Sequence, residues 1–347
     1  MKLQTEISLK PEENQIDYSS KILLMGSCFS ENIGGKFDFY KFQNLQNPFG
    51  VIFNPVSIEK LIVRAIDDVS FSEEDIFQHN EVWKCFDVHS ELSALDKNEF
   101  LENLNSALQN LRKALFSATH IIFTFGTSWV YRTVDASAPL SDRASAPLSD
   151  RASAPLSTGE IVANCHKLPK QHFQKELLSI ETISKSLQTI FDKISTINLA
   201  ATIINTVSPV RHIKDGFAEN SLSKAHLISA IHHFLNLKSA PDSFRDVNRK
   251  SFYFPAFEIM MDELRDYRFY AEDLLHPNST AIELIWQKFS RVWIASETET
   301  LQKEITAVQS GLNHRPFNPN SAEHLQFSEK LQLKIREIQK RFPHIRF

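Results

Sequence analysis

The chain has 347 residues, 42% of them hydrophobic, which is enough for a sizeable core in one large domain or one domain with an appendage. Its net charge of -4 is spread over intermixed acidic and basic residues, with no Lys/Arg block and no basic stripe interleaved with aromatics, so nucleic acid is not expected as a partner. The opening residues MKLQTEISLK are too polar for a signal-peptide core and no run of about 18 apolar residues occurs, so a cytoplasmic protein without a membrane segment is expected.

In chain order, Lys21 to Met25 is the first strand candidate, followed by small residues. Ile58 to Asp67 and Lys97 to Ser117 carry apolar residues at three- and four-residue spacing and predict helices. His120 to Phe125 is a second strand, and Val130 to Val134 with Glu160 to Ala163 read as the arms of a hairpin. A helix over Ser179 to Ile194, a strand over Ala200 to Val207 and a helix over Leu222 to Leu237 follow. A further helix over Ser279 to Ala295 opens on Pro277-Asn278-Ser279-Thr280, a good helix start. This alternation predicts an α/β fold with a mostly parallel sheet and helices on its faces. Beyond about residue 300 the chain turns charged, and Leu325, Leu331, Ile335 and Ile338 form an amphipathic stripe. Packing of that helix on the domain is expected, with dimerisation or projection as the alternatives. The expected organisation is a domain over 1–300 and an extension over 301–347.

One segment breaks the pattern. The octapeptide SAPLSDRA occurs twice in tandem from Ser137, and SAPL returns at Ser153, so 137–156 is a low-complexity insertion. It has too few large apolar groups to repay the entropy of ordering and is too short for a solenoid. A replicated hairpin tip costs little extra closure entropy, so the fold is expected to tolerate it.

Chemistry concentrates at two places. Gly26-Ser27-Cys28-Phe29-Ser30 follows an apolar strand and holds a candidate nucleophile at its end. Open α/β sheets bind ligands at that carboxyl edge. Far along the chain, Asp273-Leu274-Leu275-His276 places a carboxylate and an imidazole three positions apart on a loop before a helix. There the carboxylate can orient Nδ1 and leave Nε2 to act as a base. Alone, this spacing is common in a chain with 13 histidines, and a surface turn accounts for it equally well.

The order of these two signatures resembles the SGNH or GDSL-type hydrolases. The combination of GSCFS with NPFGVIFNP (Asn47 to Pro55), TFGTSWVYR (Thr124 to Arg132), VANCHKLP (Val162 to Pro169), SPVRH (Ser208 to His212), the block from Tyr253 to Asn278 and HRPFNP (His314 to Pro319) resembles the GSCFA family over about residues 3 to 320. Ser30 stands where the family name has Ala, and the 137–156 repeat is foreign to the resemblance. The resemblance implies a three-layer flavodoxin-like SGNH hydrolase fold with a C-terminal helical extension. It implies a hydrolase acting on ester bonds, an esterase or acyltransferase, with a small-molecule or glycan acyl ester or thioester as substrate, and no cofactor. It further implies oxyanion donors on two intermediate loops, where Gly50 and Gly126-Thr127-Ser128 stand. Ser128 occupies the place where such enzymes carry an Asn, a shorter donor than the amide.

In the GDSL register the nucleophile lies two positions after the strand-ending glycine, which is Cys28, with Ser27 the alternative if the turn shifts by one residue. Asp273 and His276 complete the expected triad. Asn164 and His166 after the hairpin, and Arg211 and His212 after the third strand, are further substrate-binding candidates, the last two for an anionic group. Two other classes compete. One is a ligand-binding protein that keeps the SGNH fold without turnover. The other is a metal-binding protein using Cys28, Cys85, Cys165 and His166, which lacks CxxC or HxxxH spacing, so no metal is expected. The cysteines, 3 in number, are a poor disulfide framework and suit a reducing compartment, and oligomerisation through the C-terminal helix is an open alternative.

Overall fold

The computed structural model describes residues 5–134, 159–237 and 250–347; the repeat at 137–156 lies outside the described residues. In chain order the strands are β1 (Lys21–Gly26), β2 (Gln43–Gln46), β3 (Phe77–His79), β4 (Val82–Lys84), β5 (His120–Phe125), β6 (Trp129–Thr133), β7 (Ile161–Val162), β8 (Phe173–Leu177), β9 (Thr202–Val207) and β10 (Ser251–Phe254). The helices are α1 (Cys28–Phe39), α2 (Pro55–Ile66), α3 (Lys97–Ser117), α4 (Ile180–Ile197), α5 (Phe217–Leu237), the single turn α6 (Ala256–Glu258), α7 (Ser279–Trp293), α8 (Glu299–Asn313) and α9 (Ala322–Arg341).

A five-stranded sheet runs β10-β9-β5-β1-β2, and every neighbouring pair in it is parallel. Numbered by appearance among those strands alone, the order is 2-1-3-4-5, the flavodoxin-like arrangement. The chain reverses direction across the sheet between β1 and β5, so the crevice at their carboxyl ends is where such folds take a ligand. Alternation along the strands sorts the core into two layers. Leu23 and Met25 of β1, Ile121, Phe123 and Phe125 of β5, and Ile203 and Val207 of β9 pack under α2, α3, α4 and α5. Ile22, Leu24, Ile122 and Ile204 face α1 and α7 on the other side. Both faces being covered explains why the central strands read as continuous apolar runs.

The three strands read from the sequence are found, and α3 has the predicted bounds. α2 begins three residues earlier than its apolar periodicity, because Pro55 takes the first helical position and the Asn54 side chain accepts from the Ser57 amide at 2.8 Å. The hairpin is present, with β6 pairing antiparallel to β7, and β8 adds a third strand on its other side. In α9, Leu331, Ile335 and Ile338 are buried, Leu325 is exposed, and Leu331 packs over Gly311 of α8. These helices share the α1–α7 core layer with Phe37 and Trp286. Among the described residues no helix is long and apolar enough to cross a membrane.

Candidate active site

β1 ends at Gly26 with φ +146°, where a methyl group would drive into the Thr124 carbonyl of the neighbouring strand β5. Only glycine allows the chain to turn there so close to another backbone. Three hydrogen bonds fix the turn: Gly26 N donates to Asn47 Oδ1 at 2.9 Å, Ser27 N to Thr124 O at 3.0 Å, and Ile52 N to Gly26 O at 3.0 Å. At the end of β5, Gly126 N donates to Phe53 O at 2.7 Å. A Cβ on Gly126 would lie 2.6 Å from Phe53 Cβ, 3.3 Å from His212 Nε2 and 3.4 Å from Ser27 Cβ, so the missing side chain lets the Phe53 segment pack against the end of β5, with the loop after β9 and the β1 turn close by.

Within the turn the two candidate nucleophiles are placed differently. Ser27 is 1% exposed and is the N-cap of α1, its Oγ accepting from Phe29 N at 3.3 Å. Cys28 is the first residue of the helix and is half-buried. Burial pushes its thiol above the ordinary range, Glu31 adds to that, and Lys224 together with the Cys28 and Phe29 amides pulls it back.

The second signature forms on the loop before α7. Asp273 Oδ1 accepts from the amides of Leu275 (2.9 Å) and His276 (3.0 Å), while Oδ2 sits 2.6 Å from His276 Nδ1. These bonds, backbone first, hold the Asp273 carboxyl down at about 2. Leu274 between them takes φ +59°, a left-handed conformation that costs a branched residue of the order of 1 kcal/mol or more. With Nδ1 engaged, the imidazole keeps Nε2 for other chemistry.

His276 lines a cleft of about 420 Å³ whose walls also include Thr127, Asn164, Cys165, Arg211 and His212. The cleft therefore gathers residues from the loops after β5, β7 and β9 and from the loop before α7. Ser27, Cys28, Gly50, Gly126, Ser128 and His166 are not on its wall. Gly50 N donates to Asn47 O at 2.8 Å, and Thr127 N shares Phe53 O with Gly126 at 3.3 Å. Ser128 is fully buried, its Oγ donating to Ser223 O at 3.1 Å. His166 is buried with Nε2 2.6 Å from Cys85 O, and burial lowers it to about 4. Asn164 Oδ1 accepts from His166 N at 2.7 Å, leaving the Asn164 NH2 group as a donor on the cleft wall. Burial first, then Lys224 and His276, hold His212 down at about 3, so it is a neutral imidazole at neutral pH. Arg211 spreads over the rings of Phe217 and Tyr270 with no carboxylate partner among the described residues. Among the described residues no group of three or more His, Cys, Asp or Glu could hold a metal ion.

The GSCFA family pattern matches residues 21–148 and 153–289, from β1 through the Asp273–His276 loop into α7. The chain belongs to the GSCFA family. A second pattern, that of the GSCFA domain protein C-terminal domain, matches residues 305–347, which hold most of α8 and all of α9. A comparison with curated proteins finds no match.

One residue of this GSCFA chain stands at the site without having been singled out by its sequence. Lys224, on α5, is 1% exposed, and its Nζ donates to Gly126 O at 2.6 Å and Ser208 O at 2.8 Å. Those carbonyls lie just past the ends of β5 and β9. Burial lowers its ammonium to about 7, against an opposing pull from Cys28. The signal was available: Lys224 lies three positions before Leu227 and in register with Ile231 and Phe234, all buried on the core face. A lysine on that face with no charged neighbour at helical spacing is an anomaly in an apolar stripe.

Proposed function

We propose that this protein is an SGNH-type acyl-ester hydrolase or acyltransferase that works by covalent catalysis from Cys28. The observation that carries the reading is the 2.6 Å Asp273–His276 contact, set on a cleft wall at the carboxyl edge of a flavodoxin-like sheet whose first strand ends in the Gly26-Ser27-Cys28 turn. The thiol is protonated at rest, since burial raises it, so it needs a base rather than a standing thiolate. In this mechanism His276 Nε2 takes the thiol proton as Sγ attacks the carbonyl carbon of an ester or thioester. Asp273, held ionised, fixes the imidazole tautomer and stabilises the imidazolium. His276 then returns the proton to the departing oxygen or sulfur. Water or an acceptor hydroxyl attacks the thioester left on Cys28, which gives hydrolysis or acyl transfer. For the oxyanion, the Cys28 amide is one that a helix N-terminus leaves without an intrahelical acceptor, and the Asn164 NH2 group is a second candidate. Of the two turn residues, Cys28 is favoured because Ser27 Oγ is engaged in capping α1. The free cysteines suit a cytoplasmic setting.

A second reading has one observation in its favour. The Gly50, Gly126 and Thr127 amides and the Ser128 hydroxyl all donate within the fold, which suits a protein that binds an acyl compound without turning it over. Turnover of short-chain acyl esters and thioesters by wild type, Cys28→Ala and His276→Ala separates the two. The enzyme reading expects each substitution to lower kcat/KM by about 100-fold or more. Equal rates in wild type and His276→Ala would leave binding as the function.

A further inference from the structure

Lys224 is a cation enclosed in the protein with no carboxylate partner among the described residues, and burying an unpaired charge is costly. Two of its three N–H groups are taken by the Gly126 and Ser208 carbonyls, and the third has no acceptor among the described residues. The packing around it is apolar or neutral. The Phe257 ring centre lies 5.8 Å from its Nζ. Gly126, which Lys224 holds through its carbonyl, abuts Ser27, the residue that caps the helix Cys28 begins.

We propose that Lys224 is a positioning residue of this site, in which its ammonium, anchored on the carbonyls at the ends of β5 and β9, is the internal counter-charge for the thiolate that forms when Cys28 loses its proton. This rests on Cys28 being the reactive group of the preceding reading. The charge of each bears on the other, lowering the thiol and raising the lysine. Around the pair, Glu31 of α1 opposes thiolate formation, and His212 after β9 is kept neutral in part by Lys224 itself. Glu258 of α6 is engaged by the Tyr253 hydroxyl at 2.8 Å, and His276 carries the proton away. Lys224 thus favours, at a half-buried turn, an anion that desolvation disfavours.

Such coupling has a measurable shape. With Lys224 protonated, the Cys28 thiolate fraction grows tenfold per pH unit. Once the lysine itself loses its proton, near pH 7, further alkali removes the counter-charge as fast as it removes the thiol proton, and the growth flattens. The experiment is the rate of iodoacetamide alkylation at Cys28, followed on its own peptide by mass spectrometry, from pH 5.5 to 10. Wild type is expected to show a rise, a plateau beginning near pH 7 and a second rise, and the break should persist in His276→Ala. In Lys224→Met the break should vanish and the rate at pH 7 fall about tenfold, the equivalent of one pKa unit. A single unbroken rise in the wild-type protein overturns the proposal, and needs no variant to fold. Alkylation reports on the thiol and not on turnover. A broken profile without esterase activity therefore sinks the enzyme reading alone, and activity with an unbroken profile sinks the role of Lys224 alone.

Discussion

Ser27 and Cys28 are adjacent, yet the geometry divides their work. A serine whose oxygen caps the α1 N-terminus stabilises the turn, whereas the next residue, the first inside the helix, has its side chain beside the Cys28 and Phe29 amides that favour its thiolate. Ser27→Ala is therefore expected to lower stability by about 1 kcal/mol in urea denaturation. In the same variant, alkylation of Cys28 should persist. If Ser27→Ala abolished turnover while leaving stability unchanged, the serine and not the cysteine would be the nucleophile. Asp273 divides its two oxygens in the same way, Oδ1 closing the loop around the left-handed Leu274 and Oδ2 orienting the imidazole. One carboxylate thus shapes the loop and its chemistry together.

At the scale of elements, α5 and α9 carry opposite lessons. α5 is an apolar helix with a lysine on its inward face, and that exception coincides with the ends of β5 and β9. α9 is polar over most of its surface, and its attachment rests on a narrow stripe of Leu331, Ile335 and Ile338 against α8 and the main core. Truncating Ile335 to Ala should cost about 2 to 4 kcal/mol, as expected for deleting buried methyl groups. Leu325→Ala, at an exposed position on the same helix, should stay within about 0.5 kcal/mol of wild type. Paired chemical denaturation of the two variants checks this, and similar losses for both would mean that α9 is buried over a wider face.

Across the whole molecule, buried imidazoles tie stability to pH. His166 and His212 have folded values of about 4 and about 3, below the ordinary 6.5. Below pH 6.5 the unfolded chain takes up protons that the folded chain refuses, so their contribution is intact above 6.5 and is lost as pH falls toward 4 and then 3. The melting temperature is expected to fall steadily between about pH 6.5 and pH 4, measured by circular dichroism in buffers of matched ionic strength. A flat profile over that range would show that neither imidazole resists protonation in the folded state.

The alternation of strand and helix and the apolar runs of β1, β5 and β9 were legible because a strand covered on both faces must be apolar throughout, a local property of the chain. β2 and β10 were not read, since as the two edge strands they are short and their residues are mostly only half-buried. α8 was missed because much of it is polar and only Leu301, Ile305 and Val308 are buried. At the proposed site, Gly26, Cys28, Asp273 and His276 are candidates legible in the sequence because a glycine turn and an Asp-x-x-His loop are local patterns. A lysine on the apolar face of α5 is legible too, but the carbonyls that hold it and the commitment of the Ser128 hydroxyl to Ser223 are not. Each depends on α5 being laid across the end of β5, nearly a hundred residues earlier in the chain, as the 98-residue separation from Lys224 to Gly126 records. Sequence alone determined which residues could do chemistry and the order in which the chain presents them. Tertiary structure decided which hydroxyls and amides are already spent on holding the fold, and which charge is shut inside it, because desolvation and hydrogen-bond partners arise only when distant segments meet.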